Sequence, residues 1–444
     1  MNPKIGIVGL GYVGLPLSVL FAEAGFEVIG YDRDVEKIRC LWEGIVYIDD
    51  ISTERFLACA SNITPTLEPK DLSGADFIAV CVPTPISKNK TPDTQLVESA
   101  VDAIKPYVRK GAVVSIESTV YPNFTKDVIA PRLPEAHVVF SPERVDPSNS
   151  KFDLKDVPKV LGADTETAMS RARDVYSKVF TLVEVSSTST AEAAKLLENT
   201  YRAVNIALAN EMARLCGTLD INVWEVIQAA ATKPFGFQAF YPSLGVGGHC
   251  IPVDPYYLLH KGESELIRKS LEINSAMTHK CTERIAPSCS SSLLAHKPIL
   301  FLGVAYKPDV SDTRESPALE VLRSVASAVD RGGSSSETYR AYVNYYDPHV
   351  PSIQVPSVDD DAPYTMYSLR DVEEAIENAG IIVICVKHTR FERLKARILA
   401  KVNQKLASEN GLSEASSSSN LHELSCEVFD FCGMFEGDSR ISGL

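Results

Sequence analysis

The chain has 444 residues, more than one hydrophobic core ordinarily serves, and its 45% apolar content is enough to fill two or three. Its 58 acidic residues against 44 Lys and Arg give a formal charge of -14, and no dense basic tract interrupts the sequence. That argues against a nucleic-acid partner, which needs a basic face, but not against a phosphate held locally by a helix end.

The first element is an apolar run over Lys4–Leu10, read as a buried strand, then a glycine-rich turn and a helix. Glu23 breaks the apolar stretch early, so a signal peptide or membrane span is not expected. The chain is expected to be soluble, with no membrane partner. Its ten cysteines are scattered without a CxxC pair, which fits a reduced, cytoplasmic setting and suggests no structural zinc or other metal. Cys81 and Cys385 lie within apolar runs and read as small core residues.

Three features of the front end recur near the back, in the same order. Lys4–Leu10 is matched by Pro298–Val304, Glu27–Asp32 by Tyr342–Asp347, and Ala75–Val82 by Ala379–Val386. Runs apolar on both faces belong in parallel sheets covered by helices. The fold class is therefore α/β: two Rossmann-like parallel-sheet domains joined by a central, mainly helical domain. The expected boundaries are 1–186, 187–292 and 293–444. Within the middle part, Ser189–Cys216 lacks Pro and Gly and reads as one long helix, capped by Thr190 and ended by Gly217. Apolar residues all round it suggest a homodimer or higher homo-oligomer through this region; a buried hinge helix in a monomer is the other reading. Residues 287–292, 332–336, 351–363 and 411–420 read as loops. The tail offers one short candidate strand, Glu427–Phe429.

Gly9-Leu10-Gly11-Tyr12-Val13-Gly14 spells GxGxxG between a strand and a helix. Gly9 permits the tight turn, Gly11 lets backbone approach a pyrophosphate, and Gly14 brings helix against strand. Asp32, ending the second strand, can accept both ribose hydroxyls and repels a 2'-phosphate, so NAD is the expected cofactor; the neighbouring Arg33 pulls the other way. Thr84, in the loop after Val82, is a candidate contact to the nicotinamide end.

The second concentrated signal is Gly245-Val246-Gly247-Gly248-His249-Cys250, followed by Asp254. Its glycines let the loop hug a ligand, with a thiol at the exit and a carboxylate that one helical turn would place on the same face. A structural cysteine is the bland reading, and His249 need only shape the loop. Beside NAD, a thiolate can capture an aldehyde as a thiohemiacetal, whose oxidation gives a thioester that water cleaves.

With these residues the chain resembles the UDP-glucose/GDP-mannose dehydrogenase family. The motifs are IGIVGLGYVGLPL, ESTVYP (117–122), SPERVDPSN (141–149), AEAAKLLENTYRAVNIALANE (191–211), GVGGHCIPVDPYYL (245–258) and GVAYKPDVSDTRESPA (303–318). The resemblance implies a UDP-sugar substrate whose C6 alcohol is oxidised to the acid with two NAD. It places the nucleophile on Cys250 and oxyanion-stabilising groups on Lys195 and Asn199, which as i,i+4 neighbours share a helix face. Asp254 and Thr119 would position a proton-moving water, and Glu143 would assist thioester hydrolysis. Lys307 and Arg314 match positions facing the nucleotide sugar; Phe240, Tyr241 and Gly247 are expected to line the cleft.

Within the family the motifs resemble the UDP-N-acetylhexosamine branch, and UDP-N-acetylglucosamine is the first expectation for the substrate. Arg144-Val145 replaces a Phe-Leu pair usual in UDP-glucose members, and Arg144 is a candidate partner for an acetamido carbonyl, product carboxylate or phosphate. UDP-glucose and UDP-N-acetylmannosamine are the alternatives. Two readings of other classes are a nucleotide-sugar-binding protein without chemistry and a two-electron 3-hydroxyacid dehydrogenase, which would have no use for Cys250. The family's usual closing turn is missing from the tail, which leaves a divergent lid or a truncated last strand as readings of that region.

Overall fold

The structure is a computed structural model that describes residues 3–48, 51–144, 154–248, 250–289, 297–331, 342–356, 363–410, 426–436, 438 and 441–443. The chain parts into two compact units, Met1–Thr200 with Val253–Ser264, and Tyr201–Pro252 with Glu265–Leu444.

In the first unit, eight strands form one sheet: β1 (Ile5–Val8), β2 (Val28–Tyr31), β3 (Ile63–Thr66), β4 (Phe77–Val80), β5 (Val113–Ile116), β6 (His137–Phe140), β7 (Lys159–Ala163) and β8 (Leu182–Val185). They lie in the order β3-β2-β1-β4-β5-β6-β7-β8. All neighbours are parallel except β6 and β7, so the expected all-parallel sheet carries one antiparallel joint. β1 and β4 are buried at every position, the burial that apolar runs without alternation demand. Phe21, Phe77 and Tyr176 pack in the core, with the Phe77 and Tyr176 rings edge to face at 5.0 Å.

The second unit repeats the theme. Its sheet is β10-β9-β13-β14, all parallel, from β9 (Ile299–Leu302), β10 (Val343–Tyr346), β13 (Ile381–Ile384) and β14 (Glu427–Asp430). The repeat read from the sequence is thus real: β2-β1-β4 in the first unit corresponds to β10-β9-β13 in the second. β14 closes the sheet where the tail showed only a short candidate strand. Asp430 then accepts the backbone N–H of Cys432 at 3.1 Å and of Phe435 at 2.7 Å, making its own closing turn.

Three expectations need correction. Residues 351–363 are not merely loop, because β11 (Ser352–Val355) pairs antiparallel with β12 (Tyr364–Tyr367). Pro287 does not start a loop; it lies inside the helix Glu265–Cys289. The long helix runs Thr188–Thr218, and its cap is Ser187, whose Oγ accepts the Thr190 N–H at 3.1 Å. Gly217 stays helical; the left-handed residue that ends the helix is Asp220 (φ 54°), with Ile221 N–H reaching back to the Cys216 carbonyl at 2.9 Å. The segments 332–336 and 411–420 lie outside the described residues. Among the described residues, no helix is long and apolar enough to cross a membrane.

Candidate active site

The dinucleotide turn is built as its spacing requires. Gly9 is left-handed (φ 91°), and a Cβ on Gly14 would fall 1.8 Å from the Gly9 carbonyl oxygen. A Cβ on Gly11 would meet nothing within 4 Å, which leaves the approach over that residue open for a pyrophosphate. Val13 precedes the helix Gly14–Glu23 without a side-chain cap, so the first N–H groups are not covered by one. Asp32 takes the Leu10 N–H at 2.8 Å on one oxygen and the Asp34 N–H at 3.0 Å on the other. Lys37, not Arg33, pairs with it, at 3.2 Å. The half-exposed Tyr12 stands on the turn, and Thr84 lies half-buried after β4. The Thr84 carbonyl accepts the hydroxyl of buried Tyr257 at 3.0 Å, a partner the sequence reading missed. These residues fit NAD.

The same first unit holds five of the candidate reactive groups, Thr119, Glu143, Lys195, Asn199 and Asp254. Lys195 and Asn199 share one face of the long helix. Lys195 Nζ donates to the Glu143 carbonyl at 2.6 Å, and Asn199 Nδ2 donates to Asp254 Oδ2 at 2.6 Å. Asp254 is 2% exposed, and burial pushes its carboxyl up to about 6 against the pull of Lys195 and Asn199. Thr119 sits half-buried in the turn after β5. The neighbouring loop is tied to the long helix by buried Glu192, which accepts the Asn123 N–H at 2.6 Å and the Thr125 N–H at 2.8 Å.

Cys250 is half-buried in a bend, and His249 lies outside the described residues. The helix after the loop begins only at Asp254, with Pro255 in its first turn. The one-turn relationship expected between Cys250 and Asp254 is therefore not helical, since Pro255 favours a fresh helix start over a continued one.

In the second unit the glycines fit the loop onto the nucleotide-type domain. Gly248 N–H donates to the Arg314 carbonyl at 3.3 Å, and a Cβ on Gly247 would fall 2.8 Å from Pro317 and 2.9 Å from the Glu315 carbonyl oxygen. Lys307 lies over the Tyr306 ring at 5.6 Å, and Arg314 pairs with Asp312 at 2.6 Å. Tyr241 stacks on Trp224 at 6.0 Å, while Phe240 meets Tyr201 edge to face at 5.7 Å. Arg144, in the first unit, is spent within the chain: its guanidinium pairs with Glu198 at 2.6 Å and donates to the Pro158 carbonyl at 2.6 Å. A contact to sugar requires it to leave Glu198.

The second unit's counterpart of Asp32 is closed. Asp347 accepts the Val304 N–H at 2.8 Å and the Ala305 N–H at 3.1 Å, and His388 Nε2 lies 3.1 Å from the same oxygen. Asp309 and His349 approach His388 as a metal site would, but His388 Nδ1 already accepts the Asp309 N–H at 2.9 Å. Neither ring nitrogen is left for a cation.

Comparison with known proteins gives three consecutive matches to the UDP-glucose/GDP-mannose dehydrogenase family: the NAD binding domain over residues 3–180, the central domain over 189–276 and the UDP binding domain over 300–408. The chain is 32% identical to a UDP-N-acetyl-D-mannosamine dehydrogenase of Methanocaldococcus jannaschii over 91% of its own length and 90% of that protein's. It is 31% identical to one from Salmonella typhi, over 88% and 94%. The solved structure of a UDP-D-ManNAc dehydrogenase from Pyrococcus horikoshii matches with a TM-score of 0.77 at 29% identity, covering 97% of this chain and 96% of that one. These relatives overturn the expected glucosamine branch and, with it, UDP-N-acetylglucosamine as the substrate. The two sugars differ only in configuration at C2, which motifs around C6 and the diphosphate do not encode. The chain binds NAD, is an oxidoreductase, and belongs to the UDP-glucose/GDP-mannose dehydrogenase family.

Proposed function

We propose that the chain oxidises UDP-N-acetyl-D-mannosamine at C6 to the uronic acid, through an aldehyde, a thiohemiacetal and a thioester on Cys250. The cluster of Lys195, Asn199, Asp254 and Glu143 carries the chemistry, and the mannosamine dehydrogenases among its relatives supply the sugar.

When bound, NAD accepts hydride from C6 in each of the two oxidations. Asp254 and Thr119 hold the water that relays the C6 hydroxyl proton; with its carboxyl at about 6, Asp254 is mostly ionised at neutral pH. Lys195 has three N–H donors and gives one to the Glu143 carbonyl, so two remain for the oxyanion that develops at C6, beside the Asn199 amide. The Cys250 thiolate then adds to the aldehyde carbon. After the second oxidation a water adds to the thioester carbonyl, its proton passes to Glu143, and the C–S bond breaks to return the thiolate.

A homodimer is part of this reading. Leu197, Tyr201, Leu208 and Leu215 form an exposed apolar stripe along the long helix, each between 44% and 64% exposed, where a lone surface helix would be polar. The scattered spacing of the ten cysteines, without a CxxC pair, supports a reducing cytoplasmic setting.

The test is a panel of UDP-sugars followed by NADH absorbance, with products identified by mass. UDP-N-acetylmannosamine should give the highest kcat/KM and two NADH per acid. A faster reaction with UDP-glucose, or one NADH per product, would reject the reading.

A further inference from the structure

The first unit contains a buried ion pair that the chemistry above does not use. Lys159, the first residue of β7, and Glu117, the residue after β5, are 4% and 2% exposed and lie 2.7 Å apart. The Tyr176 hydroxyl donates to the same carboxylate, and the rings of Tyr176 and Phe180 flank the ammonium at 5.5 and 5.3 Å. Burial is the largest influence and works against the Lys159 charge, but Glu117 and Glu143 acting together more than offset it and raise the lysine's pKa. A buried ion pair is a poor way to gain stability, since desolvation consumes most of the attraction. Its place in the sheet gives it another use.

β6 and β7 pair antiparallel, with Val139 opposite Ala163 and Phe140 opposite Gly162. Continuing that register past the last paired residues sets Glu143 opposite Lys159 and Arg144 opposite Pro158. Side chains hold this extension where ladder bonds stop. Ser141 Oγ donates to the Val160 carbonyl at 2.8 Å, and Arg144 Nη1 to the Pro158 carbonyl at 2.6 Å. Two lysines grip consecutive carbonyls of the same segment: Lys159 Nζ is 3.5 Å from that of Pro142, and Lys195 Nζ is 2.6 Å from that of Glu143. The other partner, Glu117, is two residues before Thr119, and Ser118 between them is tied by its Oγ to the Val82 carbonyl at 2.6 Å. One ion pair therefore joins the exits of β5 and β6, from which Thr119 and Glu143 emerge.

We propose that Lys159 and Glu117 form a positioning pair that sets Glu143 for attack of water on the thioester, so that the pair governs hydrolysis more than the oxidations before it. The proposal rests on the reading of Glu143 and Cys250 given above. In the step concerned, the water oxygen bonds to the thioester carbon, its proton goes to Glu143, and the C–S bond breaks with its electron pair leaving on Cys250 sulfur. A misplaced carboxylate slows that step without touching hydride loss, and about 1 Å of displacement is enough for a large effect.

The experiment uses the full chain with UDP-N-acetylmannosamine and NAD, in rapid-quench mode, with the covalent adduct on Cys250 read by intact mass. Lys159→Met combined with Glu117→Gln removes both charges, so no orphan ion is buried; Lys159→Arg keeps the cation; Glu143→Gln is the reference that should trap the acyl-enzyme. The neutral pair should keep the NADH burst within about twofold, accumulate acyl-enzyme and lower steady-state turnover by about 10- to 100-fold, while Lys159→Arg restores turnover. Equal loss of burst and steady state, native behaviour in both, or failure of the double variant to fold would overturn the proposal and leave the pair a structural role. If Glu143→Gln traps the adduct and the neutral pair does not, this inference alone fails. If neither traps it, the underlying reading of the thioester fails first.

Discussion

The amide of Asn199 and the buried carboxylate of Asp254 lie 2.6 Å apart, with a lysine one helical turn before Asn199. One amide and one cation do not fully offset the burial of Asp254, whose carboxyl rises from 3.8 to about 6. The folded chain therefore binds a proton that the unfolded chain has released, and this group's contribution to stability falls as pH rises from about 4 to 6. Asp254→Asn removes that cost. The variant should gain about 1–3 kcal/mol at pH 7.5 in urea unfolding, less at pH 5, and make no acid. A variant less stable than the native chain at pH 7.5 would show that Asp254 is not strained.

Asp32 should decide between the two nicotinamide dinucleotides. Its carboxylate already holds Leu10 and Asp34, so it is fixed at the end of β2, where the ribose hydroxyls would arrive. In the native chain kcat/KM for NAD should exceed that for NADP, and Asp32→Ala should cut the ratio by about 10- to 100-fold, the worth of charged hydrogen bonds. An unchanged ratio would transfer the selection to Lys37 or Arg33.

The stripe on the long helix predicts an oligomer. Sedimentation at micromolar concentration should give twice the monomer mass or more. Leu208→Glu puts a charge at a site that is 60% exposed in the single chain, so it should cost the monomer little and break the assembly. A fully active native monomer would leave the helix as a hinge within one chain.

Much of this was legible from local sequence. β1, β4, β9 and β13 are apolar on both faces and lie in parallel sheets, and GxGxxG sits between a strand and a helix. The face shared by Lys195 and Asn199 follows from helical spacing. The rest depends on residues distant in sequence. Nothing in Lys159-Val160-Leu161 marks its lysine as the ion partner of Glu117, and nothing in Tyr256-Tyr257 says which ring reaches the Thr84 carbonyl. Ser352–Val355 was hidden because four residues between prolines look like loop until a partner strand is found. Arg144 looked free for a ligand only because Glu198, on a helix far along the chain, was not in view. The configuration at C2 of the sugar has no motif of its own, and that expectation needed the relatives to correct it.

Sulfur should be required for the second oxidation only. Cys250→Ala should bind NAD and the UDP-sugar, and given the C6 aldehyde with NADH it should still form the alcohol, because that direction uses no thiolate. Lys195→Ala, by contrast, should slow both half-reactions, since an oxyanion develops in each. The decisive measurement is acid product by mass spectrometry after long incubation of Cys250→Ala with UDP-N-acetylmannosamine and excess NAD. No acid above a no-enzyme control, alongside intact aldehyde reduction, is the predicted result; acid formed at the native rate would mean that an aldehyde hydrate is oxidised directly and would contradict the covalent route.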